Sequence, residues 1–160
     1  MTIERVIPPR KQPLSVDRIR IHFDGVVFQE KPHPAAWSFI AYLNDEKIFH
    51  TAAIIEREVN DVEARMIGMS AALEWLNFQD RYQDHITLLN DNHFVIQSMG
   101  VGRPPPDKKE YRPLWFQCRK LAAPFYDIQF VWITKLANRD CRLLSLVELQ
   151  QFQNTKQAVV

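Results

Sequence analysis

Three acidic residues lie where the sequence could bring carboxylates together. Asp24 ends a predicted strand, Glu63 lies in the first turn of a predicted helix, and Asp91 ends a later predicted strand. If the two strands pair side by side, Asp24 and Asp91 meet at one edge of a sheet, and a crossing helix could add Glu63. Carboxylates in one place repel each other unless a cation intervenes, and Mg²⁺ prefers oxygen ligands. One interpretation is a metal site, since two ions about 4 Å apart can promote phosphodiester cleavage.

A structural interpretation of the same residues stays open beside the chemical one. Asp24 and Asp91 could be turn residues, and Glu63 could stabilise a helix N-terminus electrostatically. The pattern of acids alone does not choose between these interpretations, so the elements that would position them matter.

The composition is that of one soluble globular domain. The chain has 160 residues, of which 46% are apolar and 24% charged, and its formal net charge is +1. A polyanion site would therefore have to be a local patch. No apolar run approaches the roughly 20 residues of a membrane span, and the N-terminus lacks an apolar signal core, so we expect a cytoplasmic protein without a membrane partner. Cys118 and Cys141 are expected to be reduced core thiols.

Alternating apolar and polar residues predict three strands joined by short connections. The segment RIRIHFDG has strand periodicity, and AWSFIAYL and KIFHTAAII follow it, with NDEK between them as a hairpin turn. These three strands are expected to form an antiparallel meander.

The apolar period then changes to that of a helix, and α/β crossovers follow. The helical stripe consists of Val62, Met66, Met69, Leu73 and Leu76, with Asn60 or Asp61 at the N-cap position. The later segments are a strand (HITLLND), a short helix (HFVIQSM), a proline-rich loop (GVGRPPPDKKEYRP), a helix ending near Pro124, a fifth strand (DIQFVWIT), and a last helix (RDCRLLSLVELQQF) that Asn138 can cap. This order predicts an α/β fold: a five-stranded mixed sheet, three antiparallel strands then α/β crossovers, with helices packed on it. Residues 18–150 would form the domain, and 1–17 and 151–160 terminal tails.

Four motifs in this order resemble the ribonuclease H family over roughly residues 18–149. They are Phe23-Asp24-Gly25, Pro32-His33-Pro34, Asn60-Asp61-Val62-Glu63 leading into Ala71-Ala72-Leu73, and Asp91-Asn92-His93. The resemblance implies a ribonuclease H-like fold and a Mg²⁺- or Mn²⁺-dependent endoribonuclease that cleaves the RNA strand of RNA–DNA hybrids. It further implies Asp24, Glu63 and Asp91 as catalytic residues and metal ligands, with Asp24 bridging the metals.

The sequence departs from the family where a fourth carboxylate is expected. The family pattern Asn-x-x-Ala/Cys-Asp corresponds here to the segment 138–142, in which Arg142 takes the place of the Asp. A guanidinium stays protonated, so Arg142 should disfavour a second metal, and it could pair with a carboxylate or contact phosphate. Asp140 lies two residues earlier, about 200° around a helix, and should point away. The turn after the first strand also lacks glycine, which could hinder its approach to a minor groove.

Six further residues could contact a nucleic-acid substrate. Phosphate contacts are expected for the basic group Arg103, Lys108, Lys109 and Arg112, although a solvated loop diluted by acids explains it equally well. By the resemblance, Asn60 and Asn92 would contact minor-groove edges and 2′-hydroxyls, and each could also cap a helix.

The aromatic residues are expected to have structural roles. We predict core packing rather than base stacking for the four tryptophans, Trp37, Trp75, Trp115 and Trp132, because they fall within predicted strands and helices. His93 is interpreted as a polar residue at a helix start.

Two functional hypotheses result. In the first, the protein is the metal-dependent endoribonuclease, weakened by Arg142. In the second, the fold is kept as a nucleic-acid-binding or protein-interaction module with little catalysis, because Arg142 neutralises the site. The three carboxylates favour the first hypothesis, which we prefer at this point, whereas Arg142 and the glycine-free turn favour the second. The expected partner is an RNA–DNA hybrid or RNA, and a protein partner is compatible with both.

Overall fold

One five-stranded mixed sheet carries the fold in the computed structural model, which describes residues 15–29, 33–101 and 111–158. The elements in chain order are β1 (Arg18–Val27), β2 (Ala35–Leu43), β3 (Glu46–Ile55), α1 (Asp61–Phe78), β4 (His85–Asn90), α2 (His93–Val101), α3 (Arg112–Ala122), β5 (Asp127–Trp132) and α4 (Arg139–Ala158). The strand order is β3-β2-β1-β4-β5. Strands β1, β2 and β3 pair antiparallel, whereas β4 is parallel to both β1 and β5. The predicted element order and mixed sheet are confirmed.

The hairpin between β2 and β3 forms at the predicted turn. Asn44 and Asp45 have φ angles of 47° and 71°, in the left-handed region that two-residue hairpins with a right-handed twist require. The Asn44 side chain accepts a hydrogen bond from the Arg18 backbone N–H at 2.9 Å, which ties the turn to the start of β1.

Helix α1 covers one face of the sheet with the predicted apolar stripe. Met66, Met69, Leu73 and Leu76 are fully buried and belong to the main core, together with the apolar residues of β1. Val62 is half-buried and packs at the border of this core. The 3.6-residue period therefore identified the core face of α1.

Helix α4 packs on β1, β2 and β3, and it is longer than the sequence indicated. Leu149 packs with Val26 and Ala36 in a separate cluster. The helix continues through Ala158, so the segment predicted as a tail is helical over 151–158. This segment has no Gly or Pro to end the helix, and Lys156 lies over the half-buried Phe152 ring at 4.6 Å. Within the described residues, no helix is long and apolar enough to cross a membrane.

Two glycines allow α1 to lie directly against β1. A Cβ at Gly25 would lie 2.1 Å from the carbonyl carbon of Ala64 and 2.4 Å from the backbone N of Arg65. A Cβ at Gly68 would lie 2.5 Å from the carbonyl oxygen of Asp24. These contacts are with backbone, which cannot rotate away, so glycine is required for the close approach that brings α1 beside Asp24.

We expect Gly25→Ala to destabilise the fold, because the added methyl group would push α1 away from β1. The free energy of unfolding in urea should fall by about 2–4 kcal/mol. Gly100→Ala is the matched control: its added Cβ meets nothing within 4 Å, and alanine favours the α2 helix by up to about 1 kcal/mol. Similar losses for both variants would contradict the close approach of α1 and β1.

Candidate functional site

Asp24 and Asp91 lie at the same end of the sheet. The parallel pairing of β1 with β4 ends at His22, so Asp24 lies beyond the last residue of β1 that β4 covers. Beyond the last paired residues, the Asn90 side chain links β4 to β1 by donating a hydrogen bond to the Phe23 carbonyl at 2.6 Å. Asp91 directly follows Asn90 in the chain. The carboxylates of Asp24 and Asp91 interact electrostatically.

The buried side chain of Asn138 ties the start of α4 to this end of the sheet. Its Nδ2 donates to the Phe23 carbonyl at 3.1 Å and lies 3.4 Å from Oδ1 of Asp91. Its Oδ1 lies 3.3 Å from Nδ1 of His22. Burial, with a smaller contribution from Arg20, lowers the pKa of His22. Asn138 was expected to cap α4, but its side chain instead joins β1 and the end of β4 to the helix start.

The cation beside Asp24 is a side chain of α1. Asp24 is only 1% exposed, and the Nε of Arg65 lies 3.4 Å from its Oδ1. Nη1 of Arg65 donates to the Asp61 carbonyl at 3.2 Å, which holds the guanidinium against the helix. Within the described part of the chain, both carboxylate oxygens of Asp24 and the Nε of Arg65 lack a hydrogen bond of good geometry. The contact is thus an ion pair with unsatisfied buried atoms.

Glu63 is committed to the N-terminus of α1. Its backbone N–H donates to Oδ1 of Asn60 at 2.9 Å, and its own Oε1 accepts from the Asn60 N–H at 3.5 Å, which completes a capping box. Its Oε2 accepts from Nη1 of Arg57 at 3.0 Å. Glu63 precedes Arg65 by two residues, about 200° around the helix. The structural interpretation of Glu63 as a helix N-terminal residue therefore describes what the side chain does here.

The three expected ligands are not brought together. Among the described residues, no group of three or more His, Cys, Asp or Glu side chains could hold a metal ion. Asp24 and Asp91 interact electrostatically, and Asp24 faces the guanidinium of Arg65 instead of a third carboxylate. This differs from the expectation because Arg65, and not Glu63, occupies the α1 position that faces Asp24.

Burial controls the protonation of Asp24. Desolvation raises the pKa of Asp24 from 3.8 to about 6, and the nearby Asp91 adds to the rise. Arg65, the Gly25 backbone N–H and Arg142 act in the opposite direction without cancelling it. A carboxylate held by a well-formed ion pair has a lowered pKa, so the Arg65 contact compensates the buried charge only in part.

Arg142 adds a second positive charge at the site. It lies in the first turn of α4, where its backbone N–H donates to the Asn138 carbonyl at 3.1 Å. Its side chain is exposed, and its charge lowers the pKa of Asp24. Asp140, the alternative fourth carboxylate, is 74% exposed and lies 4.0 Å from Arg139, so it points away as the helical rotation predicted.

The residues present do not fit a divalent-metal centre. The unpartnered oxygens of Asp24 are atoms that a cation would satisfy, but a guanidinium already lies beside them. The negative charges of Asp24 and Asp91 are balanced by the positive charges of Arg65 and Arg142. The site is a carboxylate–guanidinium cluster with little net charge.

Of the expected substrate-binding residues, the structure describes Asn60, Asn92 and Arg112. Asn60 and Asn92 both cap helices, and Oδ1 of Asn92 accepts from the Val95 N–H at 3.1 Å. Arg112 is exposed in the first turn of α3. The other three basic residues of the predicted group lie outside the described residues, namely Arg103, Lys108 and Lys109.

Comparisons with known proteins identify the fold. No protein-family model matches the chain, and a search of curated proteins finds no match. Among solved structures, RNase H1 from the archaeon Halobacterium salinarum has a TM-score of 0.73 at 23% identity, covering 84% of this chain and 98% of that chain. The fold is RNase H-like. An N-terminal RNase H domain from Mycobacterium tuberculosis gives 0.75 at 21% identity, covering 87% of this chain and 98% of that one.

A third RNase H-like structure contains nucleic acid. LC11-RNase H1, solved in complex with an RNA/DNA hybrid, has a TM-score of 0.74 at 17% identity, with 84% of this chain and 99% of that chain covered. At these identities the similarity establishes the RNase H-like fold, and the chemistry must be argued from the side chains described above.

Arg65 is the residue of this cluster that the sequence motifs did not indicate. It lies four residues before Met69 and seven before Ala72, on the buried face of α1. A charged residue within an apolar helical stripe is a signal of a buried counter-ion, because an unpaired charge is rarely buried. That signal was present in the sequence and pointed to an acid on a neighbouring element.

The aromatic and thiol predictions had mixed outcomes. Trp115 is buried and Trp37 and Trp75 pack against the core, but Trp132 is 42% exposed, so core packing was wrong for Trp132. It ends the edge strand β5, where little structure covers it. Both cysteines are free and buried, as predicted, and burial raises the pKa of Cys118 to about 12 and also raises that of Cys141.

We expect Asp24→Asn to stabilise the RNase H-like fold at neutral pH. Because the folded-state pKa of Asp24 is raised to about 6, the folded protein binds more protons than the unfolded chain between pH 4 and 6, and its stability falls as the pH rises through this window. At pH 7 the variant should gain on the order of 2 kcal/mol in unfolding free energy. Urea denaturation from pH 4 to 7 measures this.

Asp140→Asn provides the control, since it neutralises an exposed carboxylate, and it should not give the gain in unfolding free energy expected for Asp24→Asn. If Asp24→Asn instead lowered stability at pH 7, the Asp24–Arg65 ion pair would be a net stabiliser of the fold.

Proposed function

We propose that this protein is an RNase H-like nucleic-acid-binding module that binds RNA–DNA hybrids without metal-dependent cleavage. The observation that carries the proposal is the Arg65 guanidinium 3.4 Å from the buried Asp24 carboxylate. The hybrid as ligand is supported by the similar fold of LC11-RNase H1, which was solved in complex with an RNA/DNA hybrid. This is the second of the two hypotheses drawn from the sequence.

Charge balance supports binding without cleavage. A divalent ion at Asp24 and Asp91 would add two positive charges to a cluster that Arg65 and Arg142 already neutralise. It would also have to displace the Arg65 side chain, which is nine-tenths buried and bonded to the Asp61 carbonyl. Both requirements disfavour the ion, because like charges at short range repel strongly in a poorly solvated site.

The side chains around the cluster suit a nucleic-acid backbone. Arg142 is exposed at the sheet end, and its planar guanidinium can bind phosphate oxygens through two hydrogen bonds. Asn60 and Asn92 use Oδ1 to cap helices, and within the described chain their Nδ2 groups make no hydrogen bond. These amide groups are available to donate to minor-groove acceptors or 2′-hydroxyls. Arg112, with Arg103, Lys108 and Lys109, extends the proposed phosphate contacts.

A second candidate is the Mg²⁺- or Mn²⁺-dependent endoribonuclease with Asp24, Glu63 and Asp91 as ligands. The unpartnered buried oxygens of Asp24 favour it, since a cation would satisfy them. It requires that Glu63 leave Arg57 and the capping box, and that Arg65 withdraw from Asp24. The first candidate needs neither rearrangement.

The proposal predicts that the native chain retains an end-labelled RNA–DNA hybrid without cutting it, in either Mg²⁺ or Mn²⁺. Fluorescence anisotropy should give an affinity that weakens with added salt, as phosphate contacts require. Arg142→Ala should weaken the binding of the hybrid roughly fivefold, because it removes one contact between a cation and a phosphate. Arg139→Ala removes a neighbouring exposed arginine that lies beside Asp140, and it should have a smaller effect.

Two results would overturn the proposal. Metal-dependent cleavage by the native chain that Asp24→Asn abolishes would establish the second candidate. Failure of the native chain to bind a hybrid at low salt would exclude the hybrid as its ligand.

A further inference from the structure

A pair of stacked aromatic rings lies beside the carboxylate–guanidinium cluster and is not used by it. Trp132 ends β5, where it pairs with Asn90 of β4, and His93 begins α2. We propose that the His93–Trp132 stack is a binding platform for an unpaired nucleobase, in a single-stranded extension or junction adjoining a bound duplex. This inference rests on the proposed function, because it specifies the form of nucleic acid that the protein prefers.

The geometry of the pair is that of a preformed stacking surface. The ring centroids are 4.3 Å apart and the ring planes differ by 8°. Trp132 Nε1 donates to the Asp91 carbonyl at 3.0 Å, so the polar edge of the indole is satisfied while the residue stays 42% exposed. Since the rotamer of Trp132 is already fixed, a planar ligand would bind without the entropic cost of ordering it.

The position of the pair favours nucleic acid as the ligand. In α/β sheets, ligands bind outside the carboxyl ends of parallel strands, and Trp132 lies at that end of β5, next to Asp91. The exposed Lys135 follows in the chain, and its charge can neutralise a phosphate beside a stacked base. Aromatic rings combined with nearby positive charge are the usual means of binding single strands.

A stacked pair alone would not suffice for this inference. Phe49 and Trp75 also stack, with centroids 5.2 Å apart, and Phe49 is 38% exposed. Both rings, however, contact the buried core residue Phe39, so this stack packs against the core. The His93–Trp132 pair differs because it lies outside the core clusters, at the sheet end that carries Asp91. An unpaired base fits it better than a base inside a duplex, since both faces of an internal duplex base are covered by its neighbours.

The test compares the affinities of the protein for three kinds of RNA–DNA hybrid. One is blunt, one carries an extension of three unpaired nucleotides, and one carries an extension of three abasic units. Extensions on both the 5′ and 3′ sides are included. We expect the native chain to bind the hybrid with either the 5′ or the 3′ nucleotide extension about tenfold more tightly than the blunt hybrid. The hybrid with the abasic extension on the same side should lack most of this gain in affinity. Trp132→Ala should abolish the preference without changing affinity for the blunt hybrid, and Trp132→Phe should restore part of it.

Tyr126→Ala is the matched control variant. Tyr126 is an exposed aromatic residue directly before the other end of β5, about 20 Å from Trp132 at the rise of a strand. It should keep the full preference for the extension. Equal thermal unfolding midpoints for the native chain and the variants show that all are folded.

The outcomes separate this inference from the proposed function. Tight binding of the blunt hybrid with no gain from any extension would overturn the platform and leave hybrid binding intact. An equal gain from the abasic extension, or a gain that survives in Trp132→Ala, would overturn base stacking as its cause. Binding of the extended form alone would support the platform and contradict duplex binding. Binding of no form would overturn both.

Discussion

The contact between Asp24 and Arg65 is the interaction on which the account of this RNase H-like protein depends. It exists because Gly25 and Gly68 let α1 lie directly against β1, which places an α1 side chain beside a buried strand carboxylate. Asn138 completes the arrangement by tying α4 to the same end of the sheet. The identity of one residue on α1 therefore decides whether this end of the sheet presents a cluster of acids or a balanced cluster.

This contact does not stabilise the fold as a well-formed ion pair would. Asp24 keeps both oxygens unpartnered within the described chain, and burial holds its pKa at about 6. Removing charges from water costs more than an imperfect pair returns. The pair therefore lowers the stability of the fold. Destabilising charged groups of this kind are common at binding and catalytic sites. The exposed Arg142 acts electrostatically on Asp24, and Trp132 donates to the Asp91 carbonyl, which is consistent with a ligand at this end of the sheet.

The sequence predicted the fold more fully than the site, for physical reasons. Strand alternation in β1 and the helical stripe of α1 are local patterns, and burial of one face follows from them directly. The position of Asp24 near Asp91 also followed from the side-by-side pairing of β1 with β4. The expectation that Asp24 ends its strand was wrong, because β1 continues through Val27 to pair with β2. The rotation of α1 about its axis decides which of its side chains faces Asp24. The motif that includes Glu63 gives no information about this rotation. Arg65, two residues later, belonged to the buried face, and its charge was the available signal.

Two other differences have the same origin in tertiary context. Trp132 lies within a predicted strand, but its exposure depends on β5 being an edge strand whose end is uncovered. The C-terminal segment was predicted as a tail because it is polar, although nothing in it ends a helix, and α4 extends through Ala158. The basic residues Arg103, Lys108 and Lys109 lie outside the described residues, so their expected phosphate contacts remain a proposal.

The most direct test of the central claim is a calorimetric titration of the native chain with Mn²⁺, beside Arg65→Glu in an Arg142→Asp background. We expect no binding to the native chain at millimolar Mn²⁺, because guanidinium groups already balance Asp24 and Asp91. We expect binding to the double variant, in which four carboxylates would repel one another without a cation. Arg57→Glu, which alters an arginine paired with Glu63 away from the cluster, should behave as the native chain does. Stoichiometric Mn²⁺ binding by the native chain that Asp24→Asn removes would contradict the account.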